Sequence, residues 1–358
     1  MAQRCEMAVA LRGVASVWRR SCMTAWVGAA LGAAAAPPAS LLHKDWELQC
    51  DNTRTCRAAG YAPEDTADGP VSLKITRAAG AATPIQMELR LEAEDGVTGT
   101  ARMQVGSLRL TDLPLSAPDG GAAKQFSALQ TQAALTAFFK ADLALFQVGS
   151  QRWTLSLAGL NAVLLKMDEA QGRLGTPGAL IRKGTRSEAE VLAPLPVPQI
   201  RAVVPVSTRP LSNAITQALL KAVPKSDYEY CSSSELQAKA YRLTQHLLLL
   251  TQTCEMGAYN QTELLWLAPD NAPYLPRLLQ ASGEFDPATG AAHYGMKGRG
   301  LGDCWHTQTW RFSGQGFTLA DEGVDGACRG FVGGAWQLPV HVSRVIEPAD
   351  VKTKQKGK

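Results

Sequence analysis

Asp303, His306 and Ser313 fall within eleven residues and are the residue types of a serine hydrolase, in which a carboxylate orients an imidazole that activates a hydroxyl. His293 added to Asp303 and His306 supplies donor types for a metal, although at irregular spacing. Asp168 and Glu169 are adjacent carboxylates, and glycoside hydrolysis needs two such groups set across a sugar. G-R-G-L-G, Gly298 to Gly302, has the glycines of a phosphate-cradling loop.

Each of these readings weakens when the element that must position the residues is considered. On a strand, Asp303 and His306 are three apart and face opposite sides. On a helix, Asp168 and Glu169 diverge by about 100° and cannot flank one bond. They read instead as a solvated helix end, with Glu169 and Arg173 as an exposed i,i+4 pair. No helical pattern follows G-R-G-L-G, so its glycines read as turn residues beside Cys304. The motifs GxSxG, HExxH, GxxxxGK[ST] and CxxC are missing. No metal and no cofactor is expected, and a hydrolase using Asp303 and His306 is kept as the alternative to a non-catalytic protein.

The chain's first residues specify export. Arg4, Arg12, Arg19 and Arg20 precede an uncharged run from Met23 to Ala36 that ends in small residues, the pattern of a secretory signal peptide over 1–36. The 358 residues carry a net charge of +4; the leader's four arginines against Glu6 account for three of those charges and leave +1. A nearly neutral mature chain gives no electrostatic case for nucleic acid. Its one basic cluster is the tail from Lys352 to Lys358, read as a disordered end over 347–358. LLLL, Leu247 to Leu250, is too short to span a bilayer, so no transmembrane segment is expected after the leader.

Beyond the leader stand Cys50, Cys56, Cys231, Cys254, Cys304 and Cys328, an even set that predicts three disulfides in an oxidising compartment. Five prolines between Val191 and Pro210 mark a linker between an N-terminal domain over 41–190 and a C-terminal domain over 211–346. If disulfides stay within domains, Cys50 must pair with Cys56, and three arrangements remain for the other four. Cys231 with Cys254 and Cys304 with Cys328 are favoured because each closes a loop of about 25 residues. In WELQCDNTRTCRAAGY, Trp46 to Tyr61, the alternation before Cys50 and the turn residues Asp51 and Asn52 predict a hairpin whose cysteines lie opposite one another. That makes the pair a brace, with recognition by Asn52, Arg54 and Arg57 at the tip as the other reading.

Around these residues the pattern predicts an α+β fold rich in antiparallel sheet. Ile85 to Glu94 alternates as a strand with one wet face, and ARMQVGSLRL follows as a second. Phe126, Leu129, Ala133, Phe138 and Phe139 recur at helical spacing within Lys124 to Lys140. A second helix is predicted over about Leu160 to Gln171, with Leu160, Val163, Leu164 and Met167 buried and Gly172 as its cap. LSNAITQALLKAV predicts a short helix before Pro224. HLLLLTQTC, TELLWLA, WHTQTWRF with its partner FTLADE, and VHVSRVIE predict the strands of the second domain.

C-D-N-T-R-T-C-R-A-A-G-Y, M-D-E-A-Q-G-R-L-G-T at Met167 to Thr176, G-A-Y-N at Gly257 to Asn260, K-G-R-G-L-G-D-C at Lys297 to Cys304 and C-R-G at Cys328 to Gly330 resemble, in order, the bacterial family called domain of unknown function 1176. The resemblance implies a secreted, periplasmic protein of a Gram-negative bacterium with two disulfide-braced parts, and it implies no activity. The residues point to a periplasmic binding protein whose partner is another protein or an envelope polymer, one form being an inhibitor of an envelope-directed hydrolase such as lysozyme. A purely structural envelope role is a further alternative. The expected contact surface is Lys297, Arg299 and Asp303, joined by Tyr259 and Asn260 and, on the hairpin tip, by Arg54 and Arg57.

Overall fold

A computed structural model describes residues 38–348 except 67, 94–95, 117–121 and 232–236. The leader and the tail Lys352 to Lys358 lie outside the described residues. Apolar and polar residues alternate at the start of the chain and build β1 (Ser40–His43), β2 (Trp46–Cys50), β3 (Cys56–Tyr61), β4 (Val71–Arg77) and β5 (Ile85–Leu91). β6 (Thr100–Val105) and β7 (Leu108–Pro114) follow, then β8 (Ala122–Gln125), α1 (Ala128–Phe138), β9 (Leu143–Val148), β10 (Gln151–Ser156) and α2 (Leu160–Ala170). They form two antiparallel sheets, ordered β1-β2-β3-β4-β5-β8 and β10-β9-β6-β7. One core lies between them, and α2 packs against β1, β2 and β3.

Two helix details are set by local chemistry. Lys124 and Gln125, expected inside the first helix, belong to β8, which pairs with β5. The helix begins only after Ser127, whose hydroxyl accepts from Gln130 N–H while the Gln130 side chain accepts from Ser127 N–H. This start turns Thr131, Ala134, Leu135 and Phe138 inward and leaves Leu129 in solvent, contrary to the apolar stripe read from the sequence. α2 buries Leu160, Val163, Leu164 and Met167 as predicted, and Gly172 follows it at φ 67°.

The second half has α3 (Asn213–Ala222) and two further antiparallel sheets. One is β12 (Ala238–Arg242), β13 (Leu247–Met256), β14 (Gln261–Pro269) and β15 (Arg277–Ser282). The other is β16 (Glu284–Asp286), β17 (Ala291–Lys297), β18 (Trp305–Phe312), β19 (Phe317–Val324) and β20 (Leu338–Val342). The expected strand VHVSRVIE is divided at Ser343: β20 ends the five-stranded sheet, and β21 (Arg344–Ile346) runs parallel to β11 (Gln199–Arg201) from the proline-rich segment. The fold is thus α+β and sheet-rich. The three disulfides are Cys50–Cys56, Cys231–Cys254 and Cys304–Cys328.

The described residues group together by their contacts. Phe331, Ala335, Trp336 and Leu338 pack on Ala59 and Tyr61, the face of β3 turned away from the first core. Trp336 donates to Ser72 Oγ at 2.7 Å and lies under the cations of Lys74 and Arg90. Arg329 of C-R-G donates to Ala62 O at 3.0 Å and Asp45 Oδ1 at 3.1 Å, while Ala327 N–H and the Tyr61 hydroxyl both donate to Glu47 Oε1.

Candidate functional site

K-G-R-G-L-G-D-C forms the loop from the end of β17 to the start of β18, and it is held at several points. Cys304 bonds Cys328 in the segment after β19. Gly298 lies against that disulfide, where a Cβ would stand 2.6 Å from Cys304 Sγ, so a side chain is excluded. Asp303 is fully buried; it receives Arg299 Nε at 2.7 Å on one oxygen, and the Arg299 Nη2 and Gly330 N–H on the other. Burial alone would raise the Asp303 carboxyl, but the Arg299 and Gly330 hydrogen bonds outweigh it and hold it below its ordinary range. Gly333 N–H donates to Gly302 O at 2.9 Å, closing this loop onto the one that follows Cys328.

The turn G-A-Y-N docks on the same loop. Asn260 exchanges two hydrogen bonds with the Lys297 backbone, at 3.0 and 2.8 Å, as a neighbouring strand would. Tyr259 lies beside Gly300, and the Lys297 ammonium stands 5.1 Å from the Trp305 ring centroid. Tyr259, Asn260, Lys297, Arg299 and Asp303 are therefore brought together. The sequence reading missed the apolar members of this corner. Leu301 is 60 % exposed, and Val332 is 75 % exposed although its neighbour Phe331 is buried in the core. A depression of about 310 Å³ lies beside Tyr259, between the turn and Met296. A leucine between two glycines and a valine before two more were the available signals, since such turns have no interior to bury them in.

Arg54 and Arg57 lie elsewhere. They occupy the tip of the β2–β3 hairpin, while Arg329, next to Gly330, binds at the opposite end of it. Five paired positions, Trp46↔Gly60 to Cys50↔Cys56, separate the ends by about 14 Å. The tip's polar groups have partners within the chain. Asp51 accepts from the backbone N–H groups of Thr53 and Thr55 and from Arg57. Asn52 pairs through both amide atoms with the backbone of Val342, and Arg54 donates to Ala193 O at 2.9 Å.

Asp168 and Arg173 correct the expectation of a solvated helix end. Both are fully buried. Asp168 Oδ2 accepts from Leu180 and Ile181 N–H at 2.7 and 3.0 Å. Arg173 donates to Gln171 Oε1, Ala78 O, Gly80 O and Thr83 Oγ1. Glu169 pairs with Lys166 instead. Nor do the hydrolase residues assemble: His306 meets Glu322 Oε1 at 2.9 Å, Ser313 binds Gly316 O in the far turn, and His293 stands beside Thr309.

The architecture defines a disulfide-braced, sheet-rich α+β protein, and no helix among the described residues is long and apolar enough to cross a membrane. The chain belongs to the family described as "Protein of unknown function (DUF1176)", whose profile matches residues 41–343. It is 28 % identical over 337 residues to the uncharacterized protein YpfG of Escherichia coli (strain K12), covering 84 % of this chain and 92 % of that protein. No solved structure matches.

Proposed function

We propose that the protein is an exported, periplasmic binding module without a catalytic role, and that the crosslinked corner of Tyr259, Lys297, Arg299, Leu301 and Val332 is where it docks on another protein. The observation that carries this reading is the exposure of Leu301 and Val332 on loops fixed by the Cys304–Cys328 disulfide and buried Asp303. Apolar side chains kept in water on rigid loops lose little conformational freedom on binding, so more of their burial appears as affinity. Tyrosine and arginine beside them are residue types that dominate interface energetics, and the depression at Tyr259 admits a side chain from the partner. Three disulfides and the leader pattern support export.

An envelope-directed hydrolase, inhibited by these loops, is the sharper form of the reading. The test is titration of the purified mature chain against lysozymes and fractionated periplasmic proteins. Saturable binding is expected, weakened at least about tenfold by a Leu301→Asp/Val332→Asp double variant that keeps the parent's unfolding transition. Affinity unchanged in that variant, or no saturable protein partner in any fraction, overturns the reading.

A further inference from the structure

The sheet β10-β9-β6-β7 turns only one face to the core. Ala101, Met103, Val105, Ala144, Phe146 and Trp153 are buried on that side, while the alternate residues face outward. Register arranges the outward side chains in two rows. Arg102, Gln147 and Arg152 lie opposite one another across β6, β9 and β10. In the next row Arg109, Gln104, Leu145 and Thr154 run across all four strands. Together they line a concavity of about 600 Å³, a volume typical of ligand sites.

The charge on this face is unbalanced. None of Arg102, Arg109 and Arg152 has a carboxylate within ion-pair reach among the described residues. The one acid in the lining, Asp68, accepts the Thr154 hydroxyl at 2.5 Å. Arg109 donates to the Gly106 carbonyl at 3.0 Å and to the Gln104 amide oxygen turned toward it, and leaves its remaining N–H groups for a ligand. Arg102 and Arg152 are two strand spacings apart, about 10 Å between their Cα atoms. Like charges held this way repel, and an anion between them removes that cost.

The groups between the cations specify the anion further. Thr154 gives its proton to Asp68 and Gln147 gives one N–H to Gly149 O, which leaves the Gln104 amide N–H groups, the Gln147 and Thr154 oxygens and the Thr111 hydroxyl for hydroxyl groups of a ligand. Leu145, 46 % exposed, gives a small apolar floor of the kind a sugar ring covers. The cations project from the face of the sheet, Arg109 and Arg152 from its edge strands β7 and β10, so what they offer a ligand is charge and not the backbone groups that a peptide added as a strand would use.

We propose that this open face is a second binding site, independent of the crosslinked corner, which takes an acidic oligosaccharide and holds its carboxylates with Arg102, Arg109 and Arg152. The experiment is calorimetric titration of the full mature chain at low salt with tetragalacturonate, with uncharged maltotetraose and with tetraglutamate. Saturable binding of tetragalacturonate is expected, weakened about tenfold in each of Arg102→Gln and Arg152→Gln. It is unchanged in Leu301→Asp, so that failure of one site is distinguishable from failure of the other. These arginines are exposed, and circular dichroism confirms that the variants fold. No saturable binding of tetragalacturonate, equal binding of maltotetraose, tighter binding of tetraglutamate, or full affinity in both arginine variants overturns the proposal.

Discussion

The hairpin hub around Asp51 and Asp168 and the corner around Asp303 are built from the same materials and put them to opposite uses. Each has a disulfide, a buried aspartate that accepts from the backbone N–H of a distant loop, and arginines in a short sequence motif. In the hub, Gln171 donates to Arg54 O and Arg77 O, and Arg173 binds the carbonyls after β4, so the polar groups knit α2 to the first sheet. In the corner, the same kind of network turns inward only at Asp303 and holds Leu301 and Val332 out in water. A polar motif beside a disulfide therefore says little about function until its partners are known. What separates brace from contact surface is which side chains are left over.

The sharpest way to break this contrast is to remove one member from each region. Asp168→Ala strands the N–H groups of Leu180 and Ile181 and leaves Arg77, 3.8 Å away, without its counter-charge. Uncompensated buried groups of this kind cost about 3–5 kcal/mol, and the urea midpoint should fall accordingly. Leu301→Asn and Val332→Asn should each stay within about 0.5 kcal/mol of the parent, because both side chains are largely exposed. Equal losses in both regions would erase the distinction.

The contrast also explains what was legible in the sequence. The hairpin, the second helix and the strand runs follow from periodicity and turn residues, and the disulfide pairs follow from loop closure once the chain is divided at its prolines. The first helix was extended too far because Lys124 and Gln125 carry no β signal of their own and pair only through β8 and β5. A local i,i+4 rule makes Arg173 exposed because it carries no information on the carbonyls of Ala78 and Gly80, which arrive from about 95 residues earlier. Contacts of that range are set by topology. For the same reason Arg102, Arg109 and Arg152, ordinary charges along three separate strands, gain meaning only when the register places them on one face.

The disulfides of the two regions should differ less than Asp168 differs from Leu301 and Val332. Loss of Cys304–Cys328 by paired serine substitution is expected to cost about 2–4 kcal/mol, and loss of the shorter Cys50–Cys56 loop about 2 kcal/mol, read as shifts in thermal midpoint. The informative readout is binding. Freeing Cys304 and Cys328 should loosen the loops that carry Leu301 and Val332 and weaken the protein partner, whereas freeing Cys50 and Cys56 should leave that affinity as it was. A corner that binds equally well without its disulfide would show that its loops are held well enough by Asp303 and the backbone hydrogen bonds around it.

The smallest effect concerns Asp325, which enters the corner just before Cys328. Its backbone donates to Trp305 O at 2.9 Å, and its side chain lies against Gly334 in the loop that carries Val332. Burial pushes its carboxyl up to about 6, and among the described residues it has no compensating partner of the kind Asp168 has. A carboxyl raised on folding binds its proton more tightly in the folded state, so stability falls as pH rises. The penalty is absent below the unfolded value near 3.8, grows through the interval and is complete above about 6. Asp325→Asn removes the titration and keeps the shape. It should be more stable than the parent at pH 7.5, by about 1 kcal/mol at most once partial solvent access is allowed for, and indistinguishable from it below about pH 4. Subtracting the two proteins' thermal midpoints at each pH cancels every other titrating group. A difference that does not change with pH would show that the carboxyl in the corner is solvated, and that the loop bearing Val332 stands further from it than the structure places it.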